Sequence, residues 1–229
     1  MIEFEAVTKS YRVGRDRKTV LNNCSFAIPR GRSLAVIGIN GAGKSTLLRM
    51  IAGTSLPDRG YIRRRGVRVS FPLGFAGSFN AELSGLENIR FASRVYDCPI
   101  DQVTDYVKDF SELGNHLSMP VKTYSSGMRA RLAFGLSMAL DFDVYLVDEI
   151  TAVGDANFRK KCEQVFDSKR EHADVIMVSH GNQTLKRFCE TSCVLDRGQL
   201  TFYGTVEEGL EVYADVLKRE SRPPVKDTV

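Results

Sequence analysis

Apolar and polar residues alternate along IEFEAV and VLNNCSFAI, two runs between Ile2 and Ile28 that flank the polar stretch VGRDRK. Alternation at period two, broken by a polar loop, predicts an antiparallel hairpin or small sheet with VGRDRK as its loop. The next run, SLAVIG, reads as a buried strand. It enters a glycine-rich loop and then KSTLLRMIAG, where Leu47, Leu48 and Ile51 recur at helical spacing and Gly53 supplies the stop. Beyond PDRG come short strand-like pieces around Arg63, Arg64 and Arg65, then the irregular segment SFPLGFAGSFNAELSG. From Leu86 to Ala139 the pattern turns helical through LENIRFASRVY, IDQVTDYVKDF and MRARLAFGLSMAL, which reads as a helical subdomain inserted at about residues 84–139. VYLVDE, DVIMVSH and SCVLDRG restore strand patterns around the helical stretch FRKKCEQVFDSKR, the βαβ rhythm of a parallel sheet. A last helix, VEEGLEVYADVLKRE, leads into SRPPVKDTV. The expectation is a single α/β domain over residues 1–219, with an antiparallel β subdomain and the helical insertion, and a frayed tail over residues 220–229.

Composition narrows the class of protein more than its chemistry. A 229-residue chain with 43% hydrophobic residues is long enough to bury a sizeable core. Against 28 Asp and Glu, the 32 Lys and Arg leave a formal charge of +4, too small a bias to point to nucleic acid. The five cysteines include no CxxC pair, and Cys189 and Cys193 are spaced like neighbours on a helix or loop, so free thiols are expected. MIEFEAVTKSY lacks the apolar core of a signal peptide, and no apolar run approaches the roughly 20 residues that span a bilayer. Any membrane role is therefore expected to come through a partner.

GINGAGKST, Gly38 to Thr46, fits GxxxxGKS in the position the motif demands, between a buried strand and a helix. Its glycines let backbone N–H groups wrap the phosphates of a nucleotide, which makes Gly38, Asn40, Gly41, Gly43, Ser45 and Thr46 candidate binding residues. Lys44 would neutralise the β- and γ-phosphates, and the Ser45 hydroxyl would ligate Mg²⁺. In VYLVDE an apolar run ends in an acidic pair downstream of that loop. Asp148 is placed to hold Mg²⁺, directly or through water, and Glu149 to polarise an attacking water. His180 follows VIMVS at the carboxyl end of another strand, where ligands gather in open α/β sheets, and can reach a γ-phosphate and position Glu149 and the water. His116 and His172 read as surface or packed residues. By itself KTYSSGMRAR is a weak loop-to-helix match to a phosphate site, with Ser126 where a glycine is expected and Met128 where a polar residue is.

Together GINGAGKST, YSSGM, VYLVDE, the AVGD just after it and His180 stand in the order and approximate spacing of an ABC-transporter nucleotide-binding domain, which the chain resembles from Tyr11 to about Tyr203. The resemblance implies a P-loop NTPase fold and a head-to-tail homodimer, with ATP sandwiched between one subunit's P-loop and the other's YSSGM segment. Ser125 and the backbone around Ser126 and Gly127 would then meet the γ-phosphate in trans, at the amino end of a helix starting near Met128. By the same resemblance Tyr11 would stack on adenine, and Asp155 would lie at the dimer seam. The usual signature of the family is LSGGQ, from which this chain departs at Tyr124, Ser126 and Met128. Serine for the first glycine is tolerable only if that position needs neither positive φ nor the closest phosphate approach. A second departure is the absence of glutamine from FPLGFAGSFNAEL, where Asn80 is a candidate substitute. That segment is still expected to form the groove for a coupling helix of a membrane subunit.

YSSGM followed by RARLAF, the VGD ending and SFPLGFAGSFNAELSGLENIRF are similar to the ATP-binding subunits that export cell-surface polysaccharides, most closely the capsule polysaccharide exporters of Gram-negative bacteria. This implies an ATPase using ATP and Mg²⁺ at the cytoplasmic face of the inner membrane, peripheral through a polytopic transmembrane permease. Further capsule export proteins would be partners, and nucleic acid would not. O-antigen and teichoic-acid exporters are the alternative; an end near residue 229 leaves no room for the extra carbohydrate-binding domain of some O-antigen exporters, which favours capsule. A soluble ABC-fold switch acting on nucleic acid or the ribosome would commonly show two modules or a long coiled coil. A GTPase would show NKxD, and YSSGM with His180 argues against a small-molecule kinase. RGYIRRRGVRV is expected to be a solvated sheet face rather than a site for acidic polymer or lipid headgroups.

Overall fold

The structure, a computed structural model, describes residues 1–73, 79–148 and 156–220. It divides into two compact units: Met1–Gly66 with the chain from Val175 onward, and Val67–Asp174.

In the first unit the alternating amino-terminal runs form the antiparallel strands β1 (Ile2–Val13) and β2 (Asp16–Ile28). Ile2, Phe4 and Val7 are buried from β1, and Val20, Leu21 and Cys24 from β2. The expected loop VGRDRK contracts to a turn at Gly14 and Arg15, because Val13 pairs with Asp16, Arg12 with Arg17 and Tyr11 with Lys18. A hydrogen-bond ladder continues through solvated residues as readily as through buried ones, so polarity alone overstated the loop. The chain then enters β3 (Leu34–Ile37), every residue of it buried, and α1 (Lys44–Ala52), which ends at Gly53 in the left-handed conformation with φ 84°.

β4 (Arg59–Arg64) lies on the other side of β1, with Glu3 opposite Arg63 and Glu5 opposite Tyr61. This register resolves the arginine run and corrects part of the solvated-face expectation. Arg63 pairs with Glu5 at 2.8 Å and Arg65 with Glu3 at 3.3 Å, both near solvent. Arg64, between them and hence on the opposite face, donates from Nε to the Ile51 carbonyl at 2.6 Å and from its second nitrogen to the Met50 carbonyl. A guanidinium on the last carbonyls of α1 satisfies acceptors that have no partner within the helix and opposes the helix dipole. Arg64→Met is expected to destabilise the chain by about 1–3 kcal/mol in chemical unfolding, against about 0.5 kcal/mol or less for Arg63→Gln.

The parallel part of this unit runs β6 (Asp174–Val178), β3, β7 (Thr191–Asp196), with β8 (Gln199–Tyr203) returning antiparallel on β7. The helix α6 (Asn182–Phe188) precedes β7, and α7 (Val206–Glu220) packs on β3 and β7. Neither β8 nor α6 stands out in the sequence: QLTFY alternates weakly, and α6 is only seven residues long. Cys193 lies in β7, and Cys189 ends α6; none of the five cysteines forms a disulfide.

The second unit holds α2 (Gly85–Val95), α3 (Ile100–Ser111), α4 (Ser126–Ala139), β5 (Val144–Asp148) and α5 (Ala156–Lys169). A capping box starts α2: Ser84 accepts from the Glu87 amide, and the Glu87 carboxylate accepts from the Ser84 amide at 2.7 Å. Phe110 stacks on Tyr106 and Phe134 and meets Phe158 edge-on, joining α3, α4 and α5. A second aromatic group, Phe71, Tyr96, Phe142 and Tyr145, packs beside β5. Burial pushes the Tyr145 phenol up to about 12, so it serves as a neutral donor to the Leu140 carbonyl at 3.1 Å. No helix among the described residues is long and apolar enough to cross a membrane.

Candidate functional site

The glycine-rich loop begins where β3 ends. Gly38 packs so close to β7 that a Cβ there would lie 2.6 Å from the Leu195 carbonyl oxygen, so glycine at this position is set by the neighbouring strand. Gly43 has φ 114° and presses on Val20 of β2, whose Cγ1 would lie 2.0 Å from an added Cβ. Both conditions exclude a side chain. Gly43 caps α1 without a side-chain hydrogen bond, and the amides of Ser45 and Thr46 have no backbone acceptor among the described residues. Open amides at a helix start, beside a lysine, form an anion site. Lys44 Nζ donates to the carbonyls of Gly38 at 2.6 Å and Ile39 at 3.0 Å, bracing the loop from within.

Two further candidates are brought to this loop. β6 runs parallel to β3, with Ala35 opposite Met177, so His180 leaves β6 level with the point where Gly38 leaves β3. Its ring is exposed there. Tyr11, 40% exposed, pairs across the hairpin with Lys18, whose Nζ would lie 3.1 Å from a Cβ on Gly41. The hairpin thus carries Tyr11, Lys18 and Val20 to the phosphate loop. Lys18 and Val20 escape notice in the sequence, since only the strand register places them there.

In the second unit Asp148 ends β5, after four buried residues. Glu149 and Asp155, with the rest of AVGD, lie outside the described residues, as do Gly74 to Ser78 and the chain beyond Glu220. Asn80 is engaged locally: its Oδ1 accepts from the Glu82 amide at 3.0 Å, and its own amide donates to Asn88 Oδ1 at 2.9 Å. It therefore organises the turn before α2.

The YSSGM segment starts α4 at Ser126, two residues before the expected Met128. Ser125 is the N-cap, and its Oγ accepts from the Met128 amide at 3.2 Å. A hydroxyl that accepts in this way still has its proton to donate. The amides of Ser126 and Gly127 have no acceptor among the described residues, so three donors converge at one helix start. Ser126 adopts helical φ, which removes the backbone objection to serine in place of glycine. Tyr124 also has a structural reason. It is 3% exposed, its hydroxyl donates to the His116 carbonyl at 2.6 Å, and its carbonyl accepts from Arg129 at 2.5 Å.

The model of the ABC transporter family matches residues 21–152, more than half of the chain. The chain is 50% identical to the polysialic acid transport ATP-binding protein KpsT of Escherichia coli, over 93% of this chain and 98% of that protein. It is 43% identical to the capsule polysaccharide export ATP-binding protein CtrD of Neisseria meningitidis serogroup B, again over 93% and 98%. Among solved structures, an ATP-binding subunit of an ABC transporter superposes with a TM-score of 0.75 at 22% identity, covering 96% of this chain and 98% of that one. A dimeric post-hydrolysis state of the ATP-binding cassette MJ0796, bound to ADP and Pi, superposes with a TM-score of 0.70 at 20% identity, over 88% and 98%. These structures show the fold to be that of an ABC ATPase, the α/β class read from the sequence. By fold, by family model and by its relatives, the chain belongs to the ABC transporter family.

Proposed function

We propose that this chain is the ATP-hydrolysing subunit of an ABC exporter that moves capsular polysaccharide across the inner membrane, working at its cytoplasmic face through a polytopic permease. The observation that carries the substrate class is identity of 43–50% over nearly the whole chain to proteins named for polysialic acid transport and capsule polysaccharide export. The chemistry is phosphoryl transfer to water, dominated by positioning and charge stabilisation. The amides of Ser45 and Thr46 and the Lys44 ammonium hold the phosphates. Ser125, Ser126 and Gly127 of a second copy donate to the γ-phosphate and close the site. Glu149 accepts the proton of the attacking water as its oxygen bonds to the γ-phosphorus and the bond to the β–γ bridging oxygen breaks. His180 orients that water and the γ-phosphate.

Mg²⁺ is the cation proposed to accompany the nucleotide. Among the described residues no group of three or more His, Cys, Asp or Glu could hold a metal. A hydroxyl and a carboxylate, completed by phosphate and water, would give hard oxygen ligands, which is the coordination habit of Mg²⁺. The Ser45 hydroxyl and the Asp148 carboxylate would supply those oxygens, and the bound ion would neutralise charge on the β- and γ-phosphates.

Deleting the gene tests the exporter reading. Cells are expected to synthesise the capsular polymer but retain it inside, with export restored by the wild-type chain and not by Glu149→Gln. Unchanged surface capsule in the deletion strain, or loss of a different surface polymer, would contradict the assignment.

A further inference from the structure

β1 reaches Tyr11 opposite an irregularity in β2. Its pairing with β2 slips between Lys9, opposite Leu21, and Ser10, opposite Thr19. One step on β1 spans two on β2, so the extra residue of this bulge is Val20 in β2, while β1 runs on through Lys9, Ser10 and Tyr11 without an inserted residue. Asp58, just before β4, ties the other edge of β1: the Ser10 amide donates to its Oδ2 at 2.8 Å, and its own amide donates to the Thr8 carbonyl at 2.8 Å. The same carboxylate accepts from Lys9 Nζ at 3.1 Å and lies 3.5 Å from Arg17. Lys9 Nζ also donates to the Leu56 carbonyl at 2.8 Å and stands 5.3 Å from the centroid of the Tyr11 ring. Hydrogen bonds from Lys9 and from the Ser10 amide hold the Asp58 carboxyl below the usual carboxylate range, which keeps the anchor ionised. Only 15% of the Lys9 side chain is exposed, so it is a built element of the fold rather than a solvated amine.

We propose that Lys9 and Asp58 are positioning residues for base recognition, fixing Tyr11 with one ring face over the ammonium and the opposite face presented to the purine of the bound nucleotide. The inference rests on the reading of Tyr11 as the residue that stacks on adenine. An ammonium over one face is attracted by the ring quadrupole and pins the side chain, so less conformational freedom is lost when a base stacks on the other face. Lys9 and Tyr11 stand two residues apart on one strand and share a side of it, and Asp58 holds both the Lys9 ammonium and the Ser10 amide between them. The effect therefore falls on the base half of the ligand and not on the triphosphate half, which the phosphate loop holds.

Calorimetric titration of the full chain with ATP and with inorganic tripolyphosphate separates the two halves. Lys9→Met and Asp58→Asn are each expected to weaken ATP binding by about 3- to 10-fold, with tripolyphosphate binding unchanged, KM raised and kcat retained. Lys9→Arg keeps a cation over the ring and is expected to restore most of the affinity. A double-mutant cycle guards against a merely structural effect: in a Tyr11→Ala background, Lys9→Met is expected to cost nothing further in ATP affinity. Parallel loss of ATP and tripolyphosphate binding, or additive losses in the cycle, would overturn the proposal. If Tyr11→Ala weakens ATP binding while Lys9→Met and Asp58→Asn do not, stacking stands and the positioning role fails. If Tyr11→Ala leaves ATP affinity intact, both fail.

Discussion

Lys44→Met is expected to lower ATP turnover by about 100-fold or more while the chain still folds. Methionine nearly matches the length of lysine and keeps the helical start of α1, so the change is mainly one of charge. Lys44 Nζ does two things that a thioether cannot. It braces the loop through the carbonyls of Gly38 and Ile39, and it brings a positive charge to the helix start where the Ser45 and Thr46 amides are open. A triphosphate is stabilised in such a site by charge and oriented dipoles, and charge-assisted contacts of this kind are about twice as strong as neutral ones. The folding penalty should be modest, about 1–2 kcal/mol for hydrogen bonds to half-buried loop carbonyls. Phosphate release and thermal unfolding of the same preparation check both halves. Turnover within a few-fold of the parent would mean that another cation carries the phosphates, with Lys18 the first suspect given its place beside Gly41.

Gly127→Asp is expected to move stability and activity in opposite directions. Gly127 sits in the first turn of α4 without positive φ, and an added Cβ would meet nothing nearer than Ser125 Oγ at 3.9 Å. Nothing within the chain demands glycine there. A carboxylate at a helix start interacts favourably with the dipole, and replacing glycine in a helix removes an entropic cost, so the melting temperature should hold or rise, by about 0.5–1.5 kcal/mol of stability. If the open amides at this position receive a γ-phosphate from a second copy, the same carboxylate places a negative charge against it. ATP turnover should then fall by about 100-fold. A variant that is more stable and nearly inactive separates a contact made with a partner from one made within the fold. A fully active Gly127→Asp would remove this helix start from the site.

Much of this was legible in the sequence because the signals are local. The phosphate loop needs glycines, a lysine and a serine at fixed spacing between a strand and a helix, and the chain supplies all of them from Gly38 to Thr46. The core helices of the second unit follow from apolar spacing, as at Val103, Val107 and Phe110. What escaped depends on register and on distant partners. Nothing in RGYIRRRGVRV says that Arg64 alone turns inward, because that follows from the pairing of β4 with β1. Lys9, Lys18 and Asp58 look like ordinary surface charges until the hairpin register and the bonds of Asp58 to Lys9 and the Ser10 amide are known. The oddity of YSSGM dissolved for two physical reasons, since Ser126 occupies a helical position and Tyr124 ties the loop to the His116 carbonyl.

A mixing experiment tests the composite ATP site directly. Lys44→Met chains and Gly127→Asp chains are each expected to be nearly inactive alone. If one copy's phosphate loop works with the other copy's Ser125–Gly127 helix start, a heterodimer of the two variants contains one intact site, built from Lys44 of one chain and Gly127 of the other. An equal mixture, with half its dimers mixed and one good site in each, should recover about a quarter of wild-type ATP turnover. Turnover that stays at the level of the separate variants, at concentrations where the wild-type chain dimerises with ATP, would contradict a site shared between two copies.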